Sequence, residues 1–118
     1  MSKITIDGVV YVPENEKPKN ENGEIYSVVR TRSAGVFAGY VKERNGQEVI
    51  LTEATRLWSW SGAFTLSQIS IDGVQDPDNC KFALTVEEIL LLEAIEIIPC
   101  TEKARKSITD VKKHEYKS

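Results

Sequence analysis

VFAGYVKERNGQEVILTEATRLWSWSG, residues 36–62, is the stretch whose reading decides the fold. Two runs rich in β-branched and aromatic residues flank Asn45-Gly46, a dipeptide suited to the positive-φ positions of a tight hairpin turn. A two-residue Asn45-Gly46 loop sets a register in which Arg44 faces Gln47, Val41 faces Ile50 and Tyr40 faces Leu51. One face then carries Phe37, Val41, Ile50 and Ala54, and the other carries Val36, Ala38, Tyr40, Val49 and Leu51. Both faces are partly apolar, as expected of a sheet covered on two sides or lending one side to a partner. Beyond Ala54, period-two spacing puts Arg56, Trp58 and Trp60 on one side, and Gly62 stops the strand.

Upstream, IYSVVRT (25–31) is dense enough in β formers for a strand, and the small residues of SAGVFAG interrupt it. KITIDGVVYV (3–12) reads as a second hairpin around Asp7-Gly8. A hairpin alone is marginal in water, so this arm is expected to pack on the body or on another subunit. PENEKPKNENGE (13–24) holds no large apolar residue and reads as a solvated tether. Downstream, Thr65 and Gln68 stand in capping-box spacing before a short helix that Gly73 ends. LTVEEILLLEAIEIIP (84–99) admits a long or bent strand from its Ile and Leu content and a helix from Thr85 with Glu88; the strand is favoured. A better helix follows, with Thr101 as cap, Pro99 blocking backward extension, and Ala104, Ile108 and Val111 in one apolar stripe. The organisation is an arm (1–12), a linker (13–24) and one α+β domain (25–118). That domain is a small antiparallel sheet with a short helix and a C-terminal amphipathic helix.

The 118 residues are 41% hydrophobic, enough for one domain with its own core. A net charge of −3 argues against bulk nucleic-acid binding. The N-terminus lacks a secretory signal, and no run approaches the roughly 20 apolar residues of a membrane span. Cys80 and Cys100 are far apart with one histidine, His114, in the chain, and read as reduced core thiols with no metal site.

Catalysis finds little support. His114 sits in a lysine-rich tail, Glu87, Glu88, Glu93 and Glu96 read as solvent-facing positions of an amphipathic element, and no phosphate-loop or metal-ligand spacing is present. No cofactor is expected. Binding is better supported, because an arginine beside indoles can grip a phosphate while the indoles stack on a base, at about 1–3 kcal/mol per base. RTRSAG (30–35) adds Arg30 and Arg32 on one strand face, with Ser33 and Gly35 letting backbone amides approach a ligand. The hairpin register sets Arg56 opposite Gly35, so Arg30, Arg32, Ser33, Gly35, Arg56, Trp58 and Trp60 are expected at one pocket mouth. The same residues also suit core packing or a subunit interface in a homo-oligomer.

The string VVRTRSAGVFAGYVKERNGQEVILTEATRLWSWSGAFTLSQISIDGV, followed by NCKF and EIIPCTEKARKSI, resembles a family of small proteins from tailed phages and prophages, over about residues 26–108. The resemblance implies a phage protein acting in the host cytoplasm. Small phage proteins without catalytic machinery are often anti-defence binders, among them sponges that sequester nucleotide signals in compact oligomers with pockets of aromatics and arginines. The expected function is therefore non-enzymatic binding of a small anionic, nucleotide-type ligand by a homo-oligomer. The alternative is a structural or protein-interaction module, such as a virion accessory subunit.

Overall fold

The computed structural model describes residues 4–6, 9–11 and 17–114. Strand β1 (Ile4–Ile6) pairs antiparallel with β2 (Val9–Tyr11), Ile6 opposite Val9, and the two form a sheet of their own; the expected Asp7-Gly8 turn and the first part of the expected linker lie outside the described residues. Within the polar stretch after it, residues 17–24 form a turn. The Asn20 side-chain oxygen accepts from the amides of Asn22 and Glu24, both at 3.0 Å, and the Tyr26 amide donates to the Pro18 carbonyl at 2.9 Å.

The α+β domain then runs β3 (Tyr26–Thr31), β4 (Val36–Asn45), β5 (Glu48–Ser59), α1 (Leu66–Asp72), β6 (Lys81–Ala83), β7 (Val86–Leu91), β8 (Ala94–Pro99), α2 (Glu102–Asp110) and β9 (Lys113–His114). β3, β4 and β5 are antiparallel neighbours; β8 adds to the far side of β3 and β7 to the far side of β5. Residues 84–98 are thus a bent pair of strands, not a helix. Only Leu92 and Glu93 separate β7 from β8, so one bent run serves both ends of the sheet and curls it. The Ala94 amide donates to the Gln47 carbonyl at the hairpin tip, and Arg32 to Glu93, which holds the curl closed.

The curl makes one sheet face an interior. Val29, Phe37, Val49, Leu51, Ala54, Leu91 and Ala94 fill it. The outer face carries Tyr26, Val28, Ala38, Tyr40 and Leu57, which pack with Ile69 of α1, Ala104 and Ile108 of α2, and Phe82. Cys80 and Cys100 are buried free thiols of this second core, as the sequence suggests. Both helices start as read: Thr65 accepts from the Gln68 amide and Thr101 from the Ala104 amide. Among the described residues no helix is long and apolar enough to cross a membrane.

The hairpin forms, but its register differs from the expected one. The turn is centred on Gly46-Gln47, with Gly46 at φ 63° and Asn45 opposite Glu48, because a glycine at the first central position closes a primed turn by itself. That turn sets Arg44 opposite Val49, and two β-bulges shift the rest: Val41 faces Leu51, Tyr40 faces Thr52 and, past the second, Ala38 faces Thr55. Val49 and Leu51 therefore join Phe37 and Val41 inside, and Ile50 does not. At the second bulge Glu53 and Ala54 lie opposite Gly39 alone. Glu53 takes φ 49°, the one positive φ of a non-glycine residue among those described.

Gly62 answers two demands. Its φ is 85°, and a Cβ there would lie 2.4 Å from the Asp76 amide nitrogen and 2.6 Å from that of Gln75. Gly62→Ala is expected to cost about 2–4 kcal/mol through combined backbone strain and overpacking, read as a lower urea midpoint at unchanged m-value.

Candidate functional site

The expected Arg/Trp pocket does not assemble. Arg30 lies opposite Val36 and shares the outer face with it, while Arg56 lies opposite Phe37, its guanidinium 4.8 Å over that inner-face ring. The two arginines are on opposite sides of the sheet, and Arg56 does not face Gly35. Each arginine of RTR is also engaged: Arg30 Nε is 3.2 Å from Glu96 Oε1, and Arg32 Nε is 3.9 Å from Glu93 Oε2. Ser33 donates to Glu93 at 2.7 Å. The Gly35 carbonyl accepts from both the Thr31 amide and hydroxyl, and the Ala34 amide is taken by Thr31 Oγ1, so this loop is a closed turn with little left for a phosphate. Trp58 is 72% exposed, whereas Trp60 packs against the outer-face core. It lies past the end of β5, where strand alternation no longer governs direction. Glu88, Glu93 and Glu96 are exposed and pair with Lys42, Arg32 and Arg30. Among the described residues no group of three His, Cys, Asp or Glu gathers for a metal; the His114 side chain lies outside them.

A different site forms where α2 crosses the outer face. A cavity of about 260 Å³ is lined by Tyr26, Tyr40, Glu53, Thr55, Thr85, Arg105, Thr109 and Lys113. Its floor is strand chemistry: Tyr26 and Tyr40 sit opposite each other on β3 and β4, their rings edge to face at 5.1 Å. Thr55 and Thr85 share a hydroxyl hydrogen bond of 2.6 Å. Its roof is helix chemistry, set by α2's contact with α1: Ser107 Oγ bonds the Val74 amide and carbonyl, and Thr101 donates to the Ile71 carbonyl.

The charges on the walls have distinct causes. Hydrogen bonding to Glu102 keeps Arg105 firmly protonated and holds the Glu102 carboxyl below its usual range. Arg105 donates to Glu102 through Nε at 3.0 Å and through Nη2, and Tyr40 also hydrogen-bonds its side chain, which leaves the remaining donors of the fork for another acceptor. Lys113 Nζ donates to the Val111 carbonyl at 2.7 Å and the Thr109 carbonyl at 3.2 Å, closing the end of α2; burial pushes its ammonium pKa down. Burial pushes the Tyr26 phenol well above its ordinary value, so it stays neutral. Its hydroxyl is the one buried side-chain oxygen or nitrogen among the described residues with no protein partner. No sequence pattern pointed to this set, because Tyr26, Glu53 and Arg105 meet only through the bulge and the docking of α2.

The chain belongs to the family described as Domain of unknown function (DUF6948), whose model matches residues 24–108. The matched span includes every cleft residue except Thr109 and Lys113. No curated protein and no solved structure matches the chain.

A buried hydroxyl without a partner costs about 1–3 kcal/mol. Tyr26→Phe is therefore expected to raise the stability of the free protein by about 1 kcal/mol in urea denaturation. Both Tyr26 and Cys100, the latter pushed by burial from 9.0 up to about 12, ionise more readily when unfolded. Stability is then full below pH 9 and falls as pH rises toward 12, and Tyr26→Phe makes that alkaline fall shallower.

Proposed function

We propose that this chain is a non-catalytic binding protein that holds a small anionic ligand in the cleft between the outer sheet face and α2. One observation carries the reading: Tyr26, whose buried hydroxyl has no protein partner, lines a cavity that Arg105 and Lys113 also line. Orphaned buried polar groups are rare and call for a partner that the chain itself does not supply. The guanidinium fork offers paired donors to a phosphate or carboxylate. About 260 Å³ lies just under the usual range of ligand pockets, which suits a single small molecule of mononucleotide size or less. Binding is favoured over catalysis because the wall hydroxyls of Thr55 and Thr85 are spent on each other. The resemblance to phage proteins supplies a setting, sequestration of a nucleotide-type signal in the host cytoplasm. In that setting Arg105 takes the phosphate-gripping role expected of Arg30, Arg32 and Arg56.

Calorimetric titration with nucleoside monophosphates and small carboxylates tests this. Arg105→Ala is expected to weaken binding about 10- to 100-fold, the worth of charge-assisted hydrogen bonds, while Arg30→Ala and Arg56→Ala stay within about twofold. Binding that survives Arg105→Ala but is lost in Arg56→Ala returns the site to the tryptophan end.

Trp58 and Phe64, 72% and 94% exposed, favour a second reading in which copies of the chain associate through exposed aromatic side chains. Native mass spectrometry should then find an oligomer that Trp58→Ser converts to monomers. A wild-type monomer at all concentrations excludes self-association.

A further inference from the structure

We infer that the ligand of the cleft is an amino-bearing anion, a small molecule whose acidic group meets Arg105 and whose hydrogen-bond-donating amino group meets Glu53. The inference rests on the cleft being the binding site.

Glu53 is the observation that calls for it. Its φ of 49° lies in the left-handed region, which glycine adopts freely, asparagine tolerates, and glutamate enters with strain. The bulge needs that conformation, since Glu53 and Ala54 together oppose Gly39. Gly39 accommodates the crowding: a Cβ there would come within 2.9 Å of the Thr52 carbonyl oxygen and 3.1 Å of Ala54 Cα. The bulge by itself therefore asks for glycine at both positions, and the chain places a carboxylate at one of them. Strain of this kind gathers at functional sites, where the side chain is wanted for something besides the fold.

The fold makes no use of this carboxylate. Among the described residues Glu53 forms no ion pair, which is equally true of the exposed Glu43, Glu48 and Glu87, but of these four only Glu53 lines this cavity. It lines the same cavity as Arg105 and Lys113 without pairing with either, so the cleft holds opposite charges that do not cancel by contact. A simple anion leaves Glu53 unused and repelled. A molecule with an acid at one end and an amino group at the other satisfies both walls. Amino acids and nucleotides with an exocyclic amino group are the two forms of that chemistry at this size.

Two matched pairs of probes separate the contributions: phenylalanine against 3-phenylpropanoate, and adenosine 5′-monophosphate against purine riboside 5′-monophosphate, whose six-membered ring carries no donor. Wild-type protein is expected to prefer the amino-bearing member of at least one pair by about tenfold, the scale for matching a hydrogen-bonding group in a built site. Glu53→Gly should reduce that preference to within about twofold, leave the amino-free member bound as well as or better than before because the repelling carboxylate is gone, and raise Tm by about 2–5 °C through relief of the strained backbone. Arg105→Ala should weaken both members equally. Equal binding of the members by wild type, a preference that persists in Glu53→Gly, or a lower Tm in that variant overturns the inference while leaving the cleft reading intact. If no probe binds, or binding ignores Arg105→Ala, the cleft reading fails and this inference fails with it.

Discussion

The structure depends on β5 serving two cores with one strand. Its first half turns Val49 and Leu51 into the curled interior, and its second half turns Thr55 and Leu57 out toward the helices. A regular strand cannot present odd-numbered residues first to one face and then to the other. The extra residue at Glu53 changes the parity, and Ala54 takes over the inward role. Packing inside and outside the sheet thus requires the left-handed backbone at residue 53, with Gly39 yielding the space opposite.

The second constraint is the bend at Leu92–Glu93. By adding β7 to β5 and β8 to β3, it returns the sheet to itself and removes water from the inner face. It also explains the glutamates of this run. Edge strands expose unpaired backbone and are commonly guarded by charge. Here Glu88, Glu93 and Glu96 guard the rim and draw Lys42, Arg32 and Arg30 into surface pairs. Pairs this exposed add little stability, but they account for arginines that otherwise look reserved for a ligand.

The cleft arises where these constraints meet the C-terminal helix. The bulge brings Glu53 and Thr55 to the outer face beside Tyr40, and α2, anchored through Ser107 and Thr101, brings Arg105 over them. Helix, bulge and strand pair each have a folding reason to be where they are. The partnerless Tyr26 hydroxyl and the unpaired Glu53 carboxylate do not, and the proposed binding role rests on them.

Local patterns in the sequence determined much of this: the α+β class, both hairpins, the capped starts of the two helices, the Ala104–Ile108–Val111 stripe and the reduced cysteines. Each follows from residues within a few positions of one another, where turn geometry, capping and periodicity act directly. The bent pair over 84–99 was legible as an extended run, though not its two partners. Register was decided by tertiary structure, since turn placement and bulges depend on which face the whole sheet must bury. A shift of that kind separated Arg30 from Arg56 and dissolved the pocket that the spacing suggested. The same shift assembled Tyr26, Glu53 and Arg105, from three distant segments, into a cleft that no local pattern encodes.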